Sequence, residues 1–111
     1  MSAIDYEIEM FFSRAAWARY DLDENTAWCK RYRAERAKWP EWTTRDGKKI
    51  PVADLGDGHL ANIIAWLERE HPGDTWTRAL KKERHYRALQ KENDSLRAEI
   101  RVSDDIIQKV F

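Results

Sequence analysis

Hydrophobic and polar positions alternate most regularly in the middle of the chain, and the pattern there predicts a helix. Four aliphatic side chains recur at i, i+3, i+4 and i+7, the spacing of one helical face: Leu60, Ile63, Ile64 and Leu67. Asp54 or Asp57 is the expected N-cap, because a carboxylate there accepts hydrogen bonds from free backbone N–H groups. The helix should end at His71-Pro72-Gly73, since the residue before a proline is disfavoured in the α conformation.

A β-hairpin is predicted immediately before this helix. Asp46-Gly47 indicates a two-residue loop, because both residues tolerate the positive φ that such a loop requires. That loop would pair four positions across the strands: Arg45 with Lys48, Thr44 with Lys49, Thr43 with Ile50, and Trp42 with Pro51. A lone hairpin is marginally stable in water, so one of its faces should pack on the helix that follows.

Two helices are expected in the N-terminal part. Apolar positions with helical spacing predict the first over residues 3–20. Asp21 and Glu24 have the spacing of a capping box, which predicts a second helix from about Asp23 to Trp39, closed by Pro40. Three tryptophans separated by eleven residues would then lie along one stripe, as core or as an aromatic binding face: Trp17, Trp28 and Trp39.

The C-terminal part predicts one long helix with heptad spacing. Thr75 is the expected cap of a helix that begins at Trp76, and Trp76 and Leu80 should pack on the globular part. Seven later positions form a candidate self-association seam: Tyr86, Leu89, Asn93, Leu96, Ile100, Ile107 and Val110. Ser103 interrupts the apolar pattern, whereas a buried asparagine such as Asn93 pairs with its symmetry mate in parallel dimers. We therefore expect a homodimer; the alternative is a helix folded back on its own domain.

Together these elements predict a mainly α (α+β) fold, with helices around one small β-hairpin. Residues 1–74 would form a helical domain with the hairpin at about 42–52, and residues 75–111 a C-terminal helix with coiled-coil heptads.

At 111 residues the chain fits one domain with a modest core. The 20 basic and 20 acidic residues balance, and basic and acidic blocks alternate along the chain. No apolar run approaches the roughly 20 residues that cross a bilayer, and no secretory signal is evident. A single cysteine, Cys29, allows no internal disulfide, so we expect a cytoplasmic protein.

Recognisable catalytic motifs are absent from the sequence. The four glycines lack the spacing of a phosphate-binding loop, and no histidine lies near Cys29 in the sequence. Asp54, Asp57 and His59 could hold a divalent metal, but helix capping explains both aspartates without one. We therefore expect no cofactor, no bound metal and no enzymatic activity.

Basic and aromatic residues are interleaved in the second predicted helix and the hairpin. Eight of them form the candidate binding surface: Trp28, Tyr32, Arg33, Arg36, Trp39, Trp42, Lys48 and Lys49. Such a surface suits a macromolecular partner, since Trp, Tyr and Arg are favoured anchors at interfaces. It could also hold a phosphate backbone while the rings stack on bases. Core packing for the rings and an ordinary solvated surface for the charges are the alternatives.

One segment resembles known sequences. The pattern W-T-T-x-D-G-x-x-I-P-V-x-D-L-x-D-x-H-L-x-N-I-I covers about a quarter of the chain. It matches here at Trp42, Thr43, Thr44, Asp46, Gly47, Ile50, Pro51, Val52, Asp54, Leu55, Asp57, His59, Leu60, Asn62, Ile63 and Ile64. This segment resembles one found in small phage and prophage proteins of uncharacterised function, and the resemblance implies a phage origin.

Three functions compete at this point. The preferred hypothesis is a non-enzymatic phage accessory protein that binds and inhibits a host protein or ribonucleoprotein, such as a CRISPR effector. The second is a nucleic-acid-binding dimer in phage transcription or genome processing, which would show steeply salt-dependent binding. The third is a metal-dependent hydrolase that uses Asp54, Asp57 or His59.

Overall fold

The computed structural model describes the backbone of residues 3–110 and the side chains of residues 14–106, 108 and 109. It contains helix α1 (Ala3–Arg36), strands β1 (Trp42–Thr43) and β2 (Lys49–Ile50), a 3-10 turn (Val52–Asp54), and helices α2 (Asp57–Glu70) and α3 (Thr75–Val110). The two short strands are antiparallel and form the hairpin. The predicted mainly α fold with one small hairpin is confirmed.

Helix α1 is continuous, so the predicted break at Asp21 and the predicted second helix are wrong. The helix passes through Asp21 and Glu24 and ends at Arg36. Neither proline nor glycine occurs in this stretch, and acidic residues inside a helix cost only a few tenths of a kcal/mol each. The tryptophan stripe is also wrong, because Trp39 lies beyond the helix end and Trp17 is 67% exposed.

The hairpin register differs by one residue from the predicted register. Trp42 pairs with Ile50 and Thr43 with Lys49, so the loop has three residues rather than two. Gly47 has a φ of +83°. Among the described residues only glycines have positive φ, so Asp46 does not have it. Asp46 therefore does not adopt the left-handed conformation that the predicted turn demands. The loop instead combines a type I turn with a left-handed glycine, a common three-residue hairpin connection.

Helix α2 carries the core, as its spacing predicts. Its four aliphatic residues are buried together with three from neighbouring elements, and the cluster comprises Val52, Leu55, Leu60, Ile63, Ile64, Leu67 and Leu80. Trp42, Ile50 and Trp76 pack against this cluster, which confirms the predicted packing of the hairpin and of the start of α3. The cap is different from the prediction, because Gly56 is the N-cap and no side chain caps the helix.

The contacts divide the chain into two compact units: residues 1–30 with 89–111, and residues 31–88. The predicted domain boundary at residue 74 is at neither limit of these units; it lies at the break between α2 and α3. At that break Asp74 Oδ1 accepts a hydrogen bond from Trp76 N at 3.0 Å, so Asp74 takes the capping role predicted for Thr75. Among the described residues, none of the helices combines the length and apolarity needed to cross a membrane.

The first unit joins the N-terminal part of α1 to the C-terminal part of α3. Ion pairs link Arg14 to Glu99 at 3.7 Å and Arg19 to Asp104 at 2.5 Å. The buried residues of this unit are mostly small or polar, with one large aliphatic side chain, Leu89; the others are Ala15, Ala18, Cys29, Asn93 and Ser103. Asn93 Oδ1 has no hydrogen-bond partner among the described residues, although the side chain is only 2% exposed.

Candidate functional site

The second unit contains a groove between the hairpin and α2. This open groove has a volume of about 730 Å³, with aromatic and aliphatic side chains from both elements and basic side chains from the hairpin. The lining residues are Trp42, Thr43, Thr44, Arg45, Asp46, Lys48, Ile50, His59, Asn62, Ile63 and Trp66. A volume of several hundred Å³ with an apolar wall and a few polar groups is typical of small-ligand sites.

The hairpin and α2 each present one regular face to the groove. On the hairpin, the cross-strand pair Trp42 and Ile50 lies on the half-buried face that packs on the core. On α2, His59, Asn62 and Trp66 follow at i, i+3 and i+7, which places them on one side of the helix. The groove is therefore formed where the apolar face of α2 gives way to its polar face.

Two indole rings form the aromatic part of the wall. Trp42 is held edge-to-face against Trp76, with ring centroids 5.3 Å apart. Trp66 contacts the His71 ring edge-to-face at 5.3 Å, and it remains 39% exposed. Trp42 is thus fixed by core packing, whereas Trp66 offers open ring surface to a ligand.

Four polar side chains of the groove have no partners within the described part of the chain, whereas Thr44 Oγ1 accepts a hydrogen bond from Lys48 N at 3.1 Å. The side chains of Arg45, Lys48, His59 and Asn62 are exposed and make no ion pair or hydrogen bond there. Asp46 also lines the groove, so the charged lining carries two cations and one anion. Unpaired donors beside an open aromatic ring suit a ligand with an anionic part and a planar part.

A second polar cluster lies in the same unit but is closed by its own contacts. Glu83 is 1% exposed and accepts hydrogen bonds from Tyr32 Oη at 2.7 Å, Arg36 Nη1 at 2.9 Å and Arg87 Nε at 2.8 Å. Arg87 also donates to Asp57 Oδ1 at 2.7 Å, and so ties α3 to the start of α2. The carboxylate and its donors satisfy one another, which is the requirement for a stable buried ion pair.

This cluster shifts the pKa of two of its members. Burial raises the pKa of Tyr32 well above its usual value, and the hydrogen bond to the Glu83 carboxylate adds to the effect. Partial burial acts to lower the pKa of Arg87, but its hydrogen bonds to Glu83 and Asp57 outweigh burial and raise it. Both donors therefore keep their protons throughout the physiological range.

The predicted binding surface is divided rather than continuous. Tyr32 is wrongly assigned to it, because the ring is only 2% exposed and packs edge-to-face on Trp39. Arg36 is engaged with Glu83 and stacks 5.0 Å from the centre of the Tyr86 ring, and Arg33 donates to Tyr86 Oη at 3.2 Å.

The remaining predicted contacts lie in different places. Trp42 and Lys48 line the groove, whereas the neighbouring Lys49 is exposed and outside its lining. Trp39 is half-buried and packs against the core cluster. Trp28 is half-buried and belongs to the first compact unit.

The predicted self-association seam is largely covered within one chain. Leu89 and Asn93 are buried, and Tyr86, Leu96 and Ile100 are half-buried. This burial favours the alternative in which the helix packs on its own chain, and the homodimer stays a prediction. The two remaining seam residues, Ile107 and Val110, lie outside the residues whose side chains are described.

The candidate metal ligands are not assembled into a site. Asp57 is paired with Arg87, and His59 lines the groove. No group of three or more His, Cys, Asp or Glu side chains suited to a metal occurs among the described residues.

Comparison with known proteins gives one named relative. The RNA pyrophosphohydrolase of Rhodopseudomonas palustris (strain BisB18) is 36% identical over 63 residues, which cover 53% of this chain and 36% of the relative. The chain thus matches about a third of that protein's length. No protein-family model matches the chain, and no solved structure matches it.

This similarity contradicts two predictions. The relative is an enzyme, so the prediction that the chain is not an enzyme, and the hypothesis of a non-enzymatic inhibitor of a host defence component, are wrong. The resemblance to phage proteins is a separate matter and stays a prediction.

Nine of the eleven lining residues lie outside the predicted binding surface, and four of these nine carry the polar and aromatic groups discussed above: Arg45, His59, Asn62 and Trp66. The signal for three of them was present, since His59, Asn62 and Trp66 recur on one face of α2 beside its aliphatic face. The sequence does not show that the hairpin lies opposite this face of α2; that arrangement is visible only in the structure.

Proposed function

We propose that the chain binds single-stranded RNA through the groove between the hairpin and α2, and that this binding serves an RNA pyrophosphohydrolase activity. The observation that carries the proposal is the set of unpartnered groups beside an open indole ring. Arg45 and Lys48 supply positive charge for a phosphate, and Trp66 supplies a face on which a base stacks. The relative that acts on RNA, by its name, supports RNA as the ligand.

RNA accounts for the mixed lining better than a purely apolar ligand. Half or more of the contacts to nucleic acids go to phosphate and sugar, and basic side chains supply many of them. The groove offers such donors on the hairpin and ring surface on α2. By contrast, Arg36 is neutralised by a buried carboxylate, so it contributes little to binding an external anion.

The test is the binding of a short, labelled single-stranded RNA to the full chain, followed by fluorescence anisotropy at several salt concentrations. Replacing both Arg45 and Lys48 with alanine should weaken binding and lower the salt dependence by about one ion for each phosphate contact removed. Lys49→Ala is the matched control, because this exposed lysine neighbours Lys48 but does not line the groove. Equal effects of the control and the double substitution would contradict the assignment of the groove.

The hydrolytic part of the proposal has its own test. RNA that carries a pyrophosphate group is incubated with the full chain, with and without divalent metal ions, and the release of phosphate or pyrophosphate is measured. The expected result is a release that the Arg45 and Lys48 substitutions diminish together with RNA binding. Binding without any release would retain the RNA site and refute the activity.

A further inference from the structure

Helix α1 carries a pair of exposed aromatic rings in the first compact unit. Trp17 is 67% exposed and Tyr20 is 57% exposed, more than any other large hydrophobic residue in the described part of the chain. The two rings contact each other edge-to-face, with centroids 6.1 Å apart, so their mutual position is fixed while more than half of each residue stays open. Neighbouring Trp and Tyr side chains that the fold leaves uncovered are typical of interaction surfaces.

A carboxylate lies one helical turn after each ring. Asp21 follows Trp17 at i+4, and Glu24 follows Tyr20 at i+4, so each ring has an acidic neighbour on its own side of the helix. Both acidic side chains are exposed, and neither makes an ion pair or a hydrogen bond within the described residues. The helix thus repeats the same arrangement twice, an aromatic ring beside a free carboxylate.

The basic residues nearest to the two rings are engaged elsewhere. Arg14 pairs with Glu99 and Arg19 pairs with Asp104, so both cations are held by carboxylates of α3. Between residues 20 and 29 the helix has three acidic residues and no basic one. Like charges one turn apart on a helix repel each other, so these carboxylates do not stabilise α1. The rings are therefore bordered by uncompensated negative charge.

This charge argues against two other occupants of the surface. Single-stranded RNA carries a negative charge at every phosphate, and the carboxylates would repel it. A symmetric dimer would place the surface against itself, because an isologous interface uses the same patch on both copies. The acidic residues of the two copies would then face one another, which costs affinity. A cationic segment of another protein is the occupant that both the rings and the carboxylates favour.

We propose that the face of α1 formed by Trp17, Tyr20, Asp21 and Glu24 is a docking surface for an arginine-rich segment of a partner protein. A guanidinium group is planar and cationic, so it stacks on an aromatic face and pairs with a carboxylate. Each ring, with the carboxylate one turn beyond it, supplies both parts of one arginine site. The two sites are about 4.5 Å apart along the helix axis, so closely spaced arginines can engage both. This surface includes no residue of the groove and is independent of the proposed RNA binding.

The experiment uses the full chain and a fluorescein-labelled dodecapeptide with four arginines and with glycine and serine at its other positions. A second peptide has citrulline in place of the four arginines, which keeps the shape of each side chain and removes its charge. Dissociation constants are measured by fluorescence anisotropy at low salt. The wild type should bind the arginine peptide about tenfold more tightly than the citrulline peptide, because the citrulline peptide loses both the cation–π contacts and the charge pairs.

Substitutions on α1 test the two parts of each arginine site separately. Trp17→Ala should weaken binding of the arginine peptide about tenfold, whereas Trp17→Phe keeps an aromatic face and should retain most of the affinity. Replacing Asp21 with asparagine together with Glu24 with glutamine should weaken binding about three- to tenfold and lower its dependence on salt. All these residues are exposed, and far-UV circular dichroism of each variant establishes that it is folded.

A matched control separates the surface from the net charge of the protein. Asp94 and Asp105 are exposed acidic residues of α3 in the same compact unit, and they lie outside the proposed surface. Replacing both with asparagine removes the same charge as the double substitution on α1. This control should leave binding of the arginine peptide within about twofold of the wild type, since exposed charges at a distance are screened by salt.

Three results would overturn the proposal. Equal binding of the arginine and citrulline peptides, or no binding of either, would show that the surface does not recognise a cation. Equal weakening by the double substitutions on α1 and α3 would attribute binding to net charge alone. Sedimentation velocity addresses the third result: a dimer of the wild type that Trp17→Ala dissociates would make a second copy of the chain the occupant. A wild type that sediments as one species with and without Trp17 supports the assignment to another protein.

Discussion

Replacing Glu83 with glutamine should destabilise the fold far more than its single lost charge suggests. The two carboxylate oxygens accept three hydrogen bonds, from Tyr32, Arg36 and Arg87. Glutamine retains one oxygen, and its amide nitrogen would turn a donor toward a donor, so at least one guanidinium loses its acceptor. Removing one partner of a buried ion pair costs about 3–5 kcal/mol. Because each arginine is 20% exposed, water recovers part of this, and we expect about 2–4 kcal/mol.

The assay is urea-induced unfolding followed by circular dichroism, with the free energy of unfolding extrapolated to water. Glu35→Gln is the matched control, because Glu35 pairs with Lys82 at 3.2 Å and both side chains are about half exposed. That control should cost less than about 1 kcal/mol. If Glu83→Gln does not fold, Tyr32→Phe removes a single donor and should cost about 1.5–3 kcal/mol. Equal destabilisation by the glutamine substitutions at positions 83 and 35 would refute the reasoning.

Three other predictions concern stability. Because burial raises the pKa of Tyr32 only in the folded protein, the unfolded chain loses this proton first, and stability should fall above about pH 10 by up to about 1.4 kcal/mol per pH unit. Urea titrations of the wild type and Tyr32→Phe should diverge there, and parallel pH profiles would contradict this origin. Asn93→Leu removes a buried carbonyl that has no partner among the described residues. It should raise the free energy of unfolding by about 1–3 kcal/mol, and with it the urea midpoint. A lowered midpoint would show that Asn93 is satisfied by an unseen partner, such as a second copy detectable by sedimentation. Gly47→Ala should destabilise by about 1–2 kcal/mol, since φ is +83°, whereas Gly58→Ala in helix α2 should stabilise by about 0.5–1 kcal/mol. Similar urea midpoints for these two variants would exclude backbone strain in the turn.

The parts of the fold that the sequence predicted correctly depend on local signals that agree with one another. The aliphatic spacing of α2, the proline and glycine after it, and the aspartate–glycine pair of the hairpin each act within a few residues. Leu80 and Trp76 were expected to pack back on the core, and both do. Agreement among independent local signals is what makes such predictions reliable.

The break in α1 was predicted wrongly because a capping box is only a possible start. Asp21 and Glu24 would satisfy free N–H groups if a helix began there, but in a continuous helix those groups already have backbone partners. The cost of acidic residues inside the helix is smaller than the cost of breaking and restarting it. A sequence pattern alone does not tell which of these two situations applies.

The hairpin register was missed by one residue for a similar reason. A two-residue and a three-residue loop share the aspartate–glycine signal. In the two-residue loop both Asp46 and Gly47 take positive φ, whereas in the observed three-residue loop Gly47 alone does. The difference has consequences, because a slip of one residue changes which side chains face each other across the strands. In the observed register Trp42 faces Ile50, and this pair forms the hairpin wall of the groove.

Which basic residues can bind a ligand is a property of the tertiary structure, and the composition of a segment does not reveal it. Arg36 and Arg45 are indistinguishable by composition, and both lie near tryptophans in the sequence. Arg36 finds Glu83, which lies 47 residues further along the chain, and its charge is neutralised inside the fold. Arg45 has no partner in the described structure, so its charge remains available to a phosphate. The density of basic residues pointed to α1, whereas the groove is lined by unpaired cations of the hairpin, and the functional proposal follows the groove.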